Sequence, residues 1–197
     1  MKKIIALALA GVLAAFAAAC SNQGAGAGPA ANTSATKNSS STDTASDAPA
    51  IVRAALSDAQ SVTTQHKDLT AEQVAAIEKE TGTKIKSTDH HSYLGFSTSG
   101  GARRQTGAAT VVEAGGKQMV VVYESREGVP YIKEVRAEGV PQAFLNQFKG
   151  KGHDDKLQIG ADLKTEGLDE ATAKAAADAI RQDTRIMQAL YGGAHGH

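Results

Sequence analysis

The chain has a single cysteine, Cys20, in 197 residues. An intrachain disulfide is therefore impossible, and no thiol remains elsewhere to help build a strong zinc site. Charge of one sign is missing too: 21 basic residues balance 21 acidic ones. There is no basic stripe and no interleaving of aromatics with arginines, so no nucleic-acid partner is expected. Beyond the first twenty residues no segment is apolar over a length that could cross a bilayer. Hydrolytic signatures are absent as well, with no Gly-x-Ser-x-Gly and no His-Glu-x-x-His. The carboxylate pairs each have a plain surface explanation, and Tyr93, Tyr123 and Tyr131 read as core or rim residues of strands. These absences point to a binding or electron-transfer protein rather than an enzyme.

The chain begins with Lys2 and Lys3, an apolar run over residues 4–19, and three small residues, Ala17, Ala18 and Ala19, just before Cys20. Residues 1–19 read as a secretory signal peptide. Small residues followed by a cysteine resemble a bacterial lipobox, with Ala17 where leucine is usual. Acylation of Cys20 would hold the chain to a lipid membrane. Ser21 resembles the outer-membrane class of such lipoproteins, so the expected location is the periplasmic side of the envelope, at the outer rather than the inner membrane. Residues 20–50 consist mainly of Gly, Ala, Ser, Thr, Asn and Asp. They lack the large apolar side chains that offset the entropy of ordering, and read as a flexible tether. Residues 51–197 have the size of one domain.

Within that domain, residues 51–62 carry a weak helical pattern. Residues 69–82 carry a strong one: Thr70 suits an N-cap, Gln73 completes a capping box, Leu69 can staple onto Val74, and Gly82 supplies a left-handed stop. Between residues 83 and 137 the apolar period shortens towards two. Residues 84–86, 92–97, 109–113, 118–124 and 131–135 read as strands. Ala114-Gly115-Gly116-Lys117 reads as a hairpin turn, Arg126-Glu127-Gly128 as another, and the unbroken apolar run from Met119 to Val122 as a strand covered on both faces. A final helix spans residues 170–190, with Ala173, Ala176, Ala177, Ile180, Met187 and Leu190 on one side. The expected class is α+β: a mostly antiparallel sheet covered by an N-terminal helix and a long C-terminal one.

Residues 144–162 carry the most specific pattern. Phe144, Leu145, Gln147, Phe148, Gly150 and Lys151 are followed by Asp155, Leu157, Ile159, Gly160 and Asp162. This run resembles the C-terminal half of the bacterial FMN-binding domain family of exported electron-transfer proteins. The resemblance spans residues 69–190 and is strongest over 144–162. It implies a flavin relay between redox proteins, with FMN held as a phosphoester on the last residue of a Ser-Gly-Ala-Thr signature at a helix start. Counted from Asp162 without gaps, that signature falls on Thr165, Glu166, Gly167 and Leu168, and leucine has no oxygen to esterify. With three residues inserted after Gly167 it ends on Ala171 and Thr172. Asp162, Thr165, Gly167 and Thr172 are thus the cofactor-binding candidates, with the carboxylates of Glu166, Asp169 and Glu170 repelling a phosphate nearby. The alternative is a flavin-free envelope module, on the same fold, that binds a metal or a protein partner.

Two further features bear on ligands. The stretch from Ser99 to Gly107 reads as a Gly-rich loop in which Arg103 and Arg104 could compensate a flavin phosphate. Of the histidines, His90 and His91 follow Asp89 at a strand start, where neighbouring side chains face opposite ways and do not share one ion. His195 and His197, on a Gly-rich tail, could take up copper, nickel or zinc weakly, and His153 stands next to Asp154 and Asp155. No residue is assigned as a metal ligand.

Overall fold

The computed structural model describes residues 42–43 and 47–193. The signal peptide, Cys20, most of the tether, His195 and His197 lie outside the described residues. Among the described residues, no helix is long and apolar enough to cross a membrane.

Six strands follow one another in a single antiparallel meander: β1 (Thr42–Asp43), β2 (Ser61–Asp68), β3 (Asp89–Ser99), β4 (Ala102–Ala114), β5 (Lys117–Arg126) and β6 (Val129–Ala137). Tight turns enforce the order. Gly100 and Gly101 (φ +62° and +81°) join β3 to β4, and Gly115 and Gly116 (φ +58° and +73°) join β4 to β5. Positive φ at both central residues matches the right-handed twist of the flanking strands, and glycine adopts it without a Cβ clash.

The helices are α1 (Ala50–Ala55), α2 (Ala71–Thr81), α3 (Gln142–Asn146) and α4 (Glu170–Tyr191). Alternation along β5 separates two cores. Met119, Val121 and Tyr123 face α4 and α3, where they meet Phe144, Phe148, Ala176 and Ile180. Val120 and Val122 face the opposite way and are covered by Val52, Ala55 and Leu56. A run that is apolar at every position is what a strand buried on both faces requires. The α+β class is as expected, with helices on both faces of an antiparallel sheet.

Helix α2 begins with the expected capping box. The Thr70 hydroxyl accepts from the Gln73 amide at 3.2 Å, while the Gln73 side chain accepts from the Thr70 amide at 2.9 Å. Gly82 closes it at φ +71°. Leu69 and Ile77 then pack on Ile186 of α4.

Three expectations need correction. Residues 84–86 form no strand, since three residues with one apolar side chain have too little to bury. The first helix is confined to Ala50–Ala55. Residues 61–62, expected at its end, open β2, whose SVTTQHKD sequence buries only Val62 and Thr64 and so carries a faint alternation. The Gly-rich loop expected from Ser99 to Gly107 is a two-residue turn followed by strand, which places Arg103 and Arg104 in β4.

The ladder between β3 and β4 runs only from Tyr93 and Ala109 to the Gly100–Gly101 turn. Beyond it, the first residues of β3 pair with β2 alone and the last residues of β4 with β5 alone. The two ribbons splay apart over α4.

Candidate binding cleft and histidine cluster

The structure sets Arg103 and Arg104 apart from the other flavin-site candidates. Helix α4 has 22 residues, about 33 Å at 1.5 Å per residue. Its N-terminal half, at Ala175 and Asp178, lies beside Val111–Ala114, and its C-terminal end, at Met187 and Tyr191, lies beside Gln105–Ala108. Arg103 and Arg104 belong to the exposed hairpin beyond that C-terminal end, where the Arg103 guanidinium stacks 3.7 Å from the Phe96 ring centroid. Thr172 lies at the other end of the helix. The direction of α4 across the sheet thus places the arginines and the helix N-terminus at opposite ends.

The helix start itself is engaged. The Asp169 carboxylate accepts the Thr172 amide at 2.9 Å, which makes Asp169 the N-cap. The Thr172 side chain and amide together hold the Asp169 carboxyl below its ordinary range. Thr165 is half-buried, its carbonyl accepting from Leu168 at 3.0 Å, and the exposed Gly167 turns the chain at φ +89°. Leu168 packs against the main core.

Asp162 acts inside the fold. Its two oxygens accept the Leu157 and Gln158 amides at 3.0 and 2.9 Å, and Lys151 Nζ lies 3.1 Å away. Burial works to raise this carboxyl, but the Gln158 and Leu157 amides and Lys151 outweigh it and bring it below the usual range. Asp155 in turn accepts from Lys151 and from the Gly152 amide. Leu157, fully buried at φ +50°, is held in a backbone region costly for a branched side chain. The residues that carry the family resemblance thus use their polar atoms to hold one loop beneath the core.

A cleft of about 800 Å³ opens where the ribbons splay. Val112, Ala114, Ala179 and Ile186 give it an apolar lining, Lys84 and Lys86 stand among its lining residues, and Asp183 and His90 supply buried polar groups. Asp183 sits on the apolar stripe of α4 and is only 4% exposed. Its Oδ2 accepts hydrogen bonds from Thr110 Oγ1 and Tyr123 Oη, both at 2.6 Å. Burial, then the charge of Asp183, pushes the Tyr123 phenol well above its ordinary value, so Tyr123 stays a donor. Asp183 Oδ1 faces His90 Nε2 at 3.6 Å, within ion-pair reach but beyond a hydrogen bond. That buried nitrogen has no hydrogen-bond partner among the described residues. A second cavity, of about 520 Å³, lies at the other end of α4 between Leu94, Thr106, Ser125, Met187 and Tyr191.

The opposite face of β3 carries a different cluster. His66 and His91 are direct partners in the β2–β3 ladder, and Asp89, two residues before His91, shares their face. His91 Nε2 and His66 Nδ1 approach Asp89 Oδ2 at 2.8 and 3.4 Å, with the two imidazole centroids 4.0 Å apart. Burial works to raise the Asp89 carboxyl, and the His91 and His66 rings more than reverse it. As the alternation predicts, His90 points away from this group. His153 remains separate, 3.0 Å from Asp154 Oδ1 and edge-on to Tyr131.

Two residues escaped the sequence reading. His66 was hidden because β2 has little apolar alternation. Asp183 left a signal: the stripe through Ala173, Ala176, Ala177 and Ile180 passes through a carboxylate before reaching Met187. No known protein family, curated protein or solved structure matches the chain.

Proposed function

We propose that this chain is a lipid-anchored module on the periplasmic side of the cell envelope that binds a small hydroxyl-bearing ligand in the cleft between its splayed ribbons. One observation carries the reading. Asp183 Oδ1 and His90 Nε2 face each other across 3.6 Å in the lining of a large cleft, Asp183 buried and the His90 side chain 12% exposed. Rotation of the His90 ring, whose Nε2 is closed to solvent in this structure, would let a single oxygen sit about 2.8 Å from both, donating to the carboxylate and accepting from the imidazole. Buried polar groups that lack a partner cost free energy, and a hydroxyl placed there recovers it. Ala179, Ile186 and Val112 then offer contact to an apolar flank of the same ligand.

The covalent flavin relay has less behind it. A phosphate at the start of α4 would need the free N–H groups of a helix end, yet Asp169 already caps the Thr172 amide. It would also stand among three carboxylates, with Arg103 and Arg104 beyond the far end of the helix.

The test is an amide-detected NMR screen of the protein, in EDTA, against polyols, hydroxy acids and methyl glycosides. Shifts are expected to cluster at His90, Thr110, Val112, Ala179 and Asp183, and to vanish in Ala179→Phe, which fills the cleft. Scattered shifts, none, or shifts unchanged in that variant refute the reading. Intact mass measured after production in a flavinylating host adds a second check: an FMN increment, lost in Thr172→Val, overturns the flavin-free assignment.

A further inference from the structure

We infer that His66, Asp89 and His91 form a surface site for one divalent transition-metal ion. The ladder register sets this up before any side chain is considered. His66 and His91 are paired directly across β2 and β3, which places their Cβ atoms about 4.5–5.5 Å apart on one face. Asp89 adds a carboxylate two residues away on that face.

The two separations from the carboxylate then match the spacing an ion demands. Bonds of about 2.0–2.1 Å to imidazole nitrogen and carboxylate oxygen separate neighbouring ligand atoms by roughly 3.3 Å in a tetrahedron and roughly 2.9 Å in an octahedron. The observed separations from Asp89 Oδ2 are 2.8 and 3.4 Å, and all three donor atoms lie within 4.8 Å of one another. Binding draws the two imidazole nitrogens, at most 4.8 Å apart, to about 3 Å from each other by side-chain rotation.

A second observation points the same way. Asp68 stands directly opposite Asp89 in the ladder. Like charges at directly opposed positions destabilise a strand pair, and a dication between or beside them reverses the sign. The side chains of Asp89 and His91 are 45% and 51% exposed. The three protein ligands thus leave coordination positions open towards solvent, as in exchangeable rather than closed structural sites. Two imidazoles and one carboxylate favour Cu(II) most strongly, with Zn(II) and Ni(II) following. Asp89 and His91 also border the cleft, but their donor atoms project from the face of β3 opposite to His90, and the site does not rest on any cleft ligand.

The experiment is calorimetric titration of the full chain with Cu(II), Zn(II) and Ni(II), one metal at a time. His195→Ala/His197→Ala serves as the background, so that tail histidines contribute nothing. One ion per chain is expected in that background, with affinity falling at least tenfold in His66→Ala or His91→Ala and markedly in Asp89→Asn. Affinity unchanged from the background in the His66 or His91 variant, or complete loss of binding on removing only the tail histidines, overturns the assignment. Should a histidine variant fail to fold, electron paramagnetic resonance of the Cu(II)-loaded background protein still decides. Two equatorial nitrogens support the site, and one, three or four refute it.

Discussion

Replacing Tyr123 by phenylalanine removes one oxygen and leaves the ring in place, so the change isolates a single hydrogen bond. Tyr123 is 1% exposed and its hydroxyl donates to Asp183 Oδ2 at 2.6 Å, beside a second donor, Thr110, at the same distance. A hydrogen bond to a charged group contributes about 1.5–3 kcal/mol. Tyr123→Phe is therefore expected to lower stability by about 2 kcal/mol near neutral pH, or roughly 4–8 °C in melting midpoint for a domain of this size. Urea unfolding followed by circular dichroism measures it. The pH dependence provides a sharper check. The folded phenol is held well above its ordinary value, so at alkaline pH the unfolded chain releases a proton that the native state keeps. Stability then falls as pH rises past about 10, by up to about 1.4 kcal/mol per pH unit for this one group. The phenylalanine ring of the variant has no such proton, so the gap between the two proteins should narrow above a pH of about 10. A gap that stays constant from about pH 8 to about pH 11, or a variant as stable as the parent at neutral pH, refutes the network.

Two other perturbations test the loop that carries the sequence pattern. A Cβ on Gly152 would lie 2.6 and 2.7 Å from Tyr131 ring carbons, so Gly152→Ala should cost about 1–3 kcal/mol; adding Tyr131→Ala should recover much of that in a double-mutant cycle. Asp162 is held below the usual carboxyl range by the Gln158 and Leu157 amides and Lys151, against the opposing effect of burial. Its contribution is therefore present above the unfolded value of about 3.9 and is lost as pH falls through the lower folded value. Asp162→Asn should flatten the acid limb of the stability profile, and an unchanged limb would show that the carboxylate is not held as described.

Legibility followed local chemistry. The capping box at Thr70, the glycine pair at 115–116 and the doubly covered strand at Met119–Val122 each express their physics within a few residues, and each is readable directly. Strand β2 is not, because polar side chains at most of its positions hide the period. Its place in the sheet comes from pairing with β3, a partner some thirty residues further on. The arginine-bearing stretch misleads for a related reason. Gly-rich composition marks a turn without saying where the strand resumes, and here it resumes at Ala102.

The candidate sites show the same division. By itself the sequence determined the α+β class, the balance of charge, the absence of a disulfide, the capping box of α2 and the opposite facings of His90 and His91, because these depend on residue type and on the two backbone periods. Only the tertiary structure decided which distant groups meet. Strand register set His66 against His91, the end of the β3–β4 ladder opened a cleft, and the direction of α4 put Thr172 and the arginines at opposite ends. Register and helix direction are set by long-range packing of whole faces, and no window of neighbouring residues contains that information.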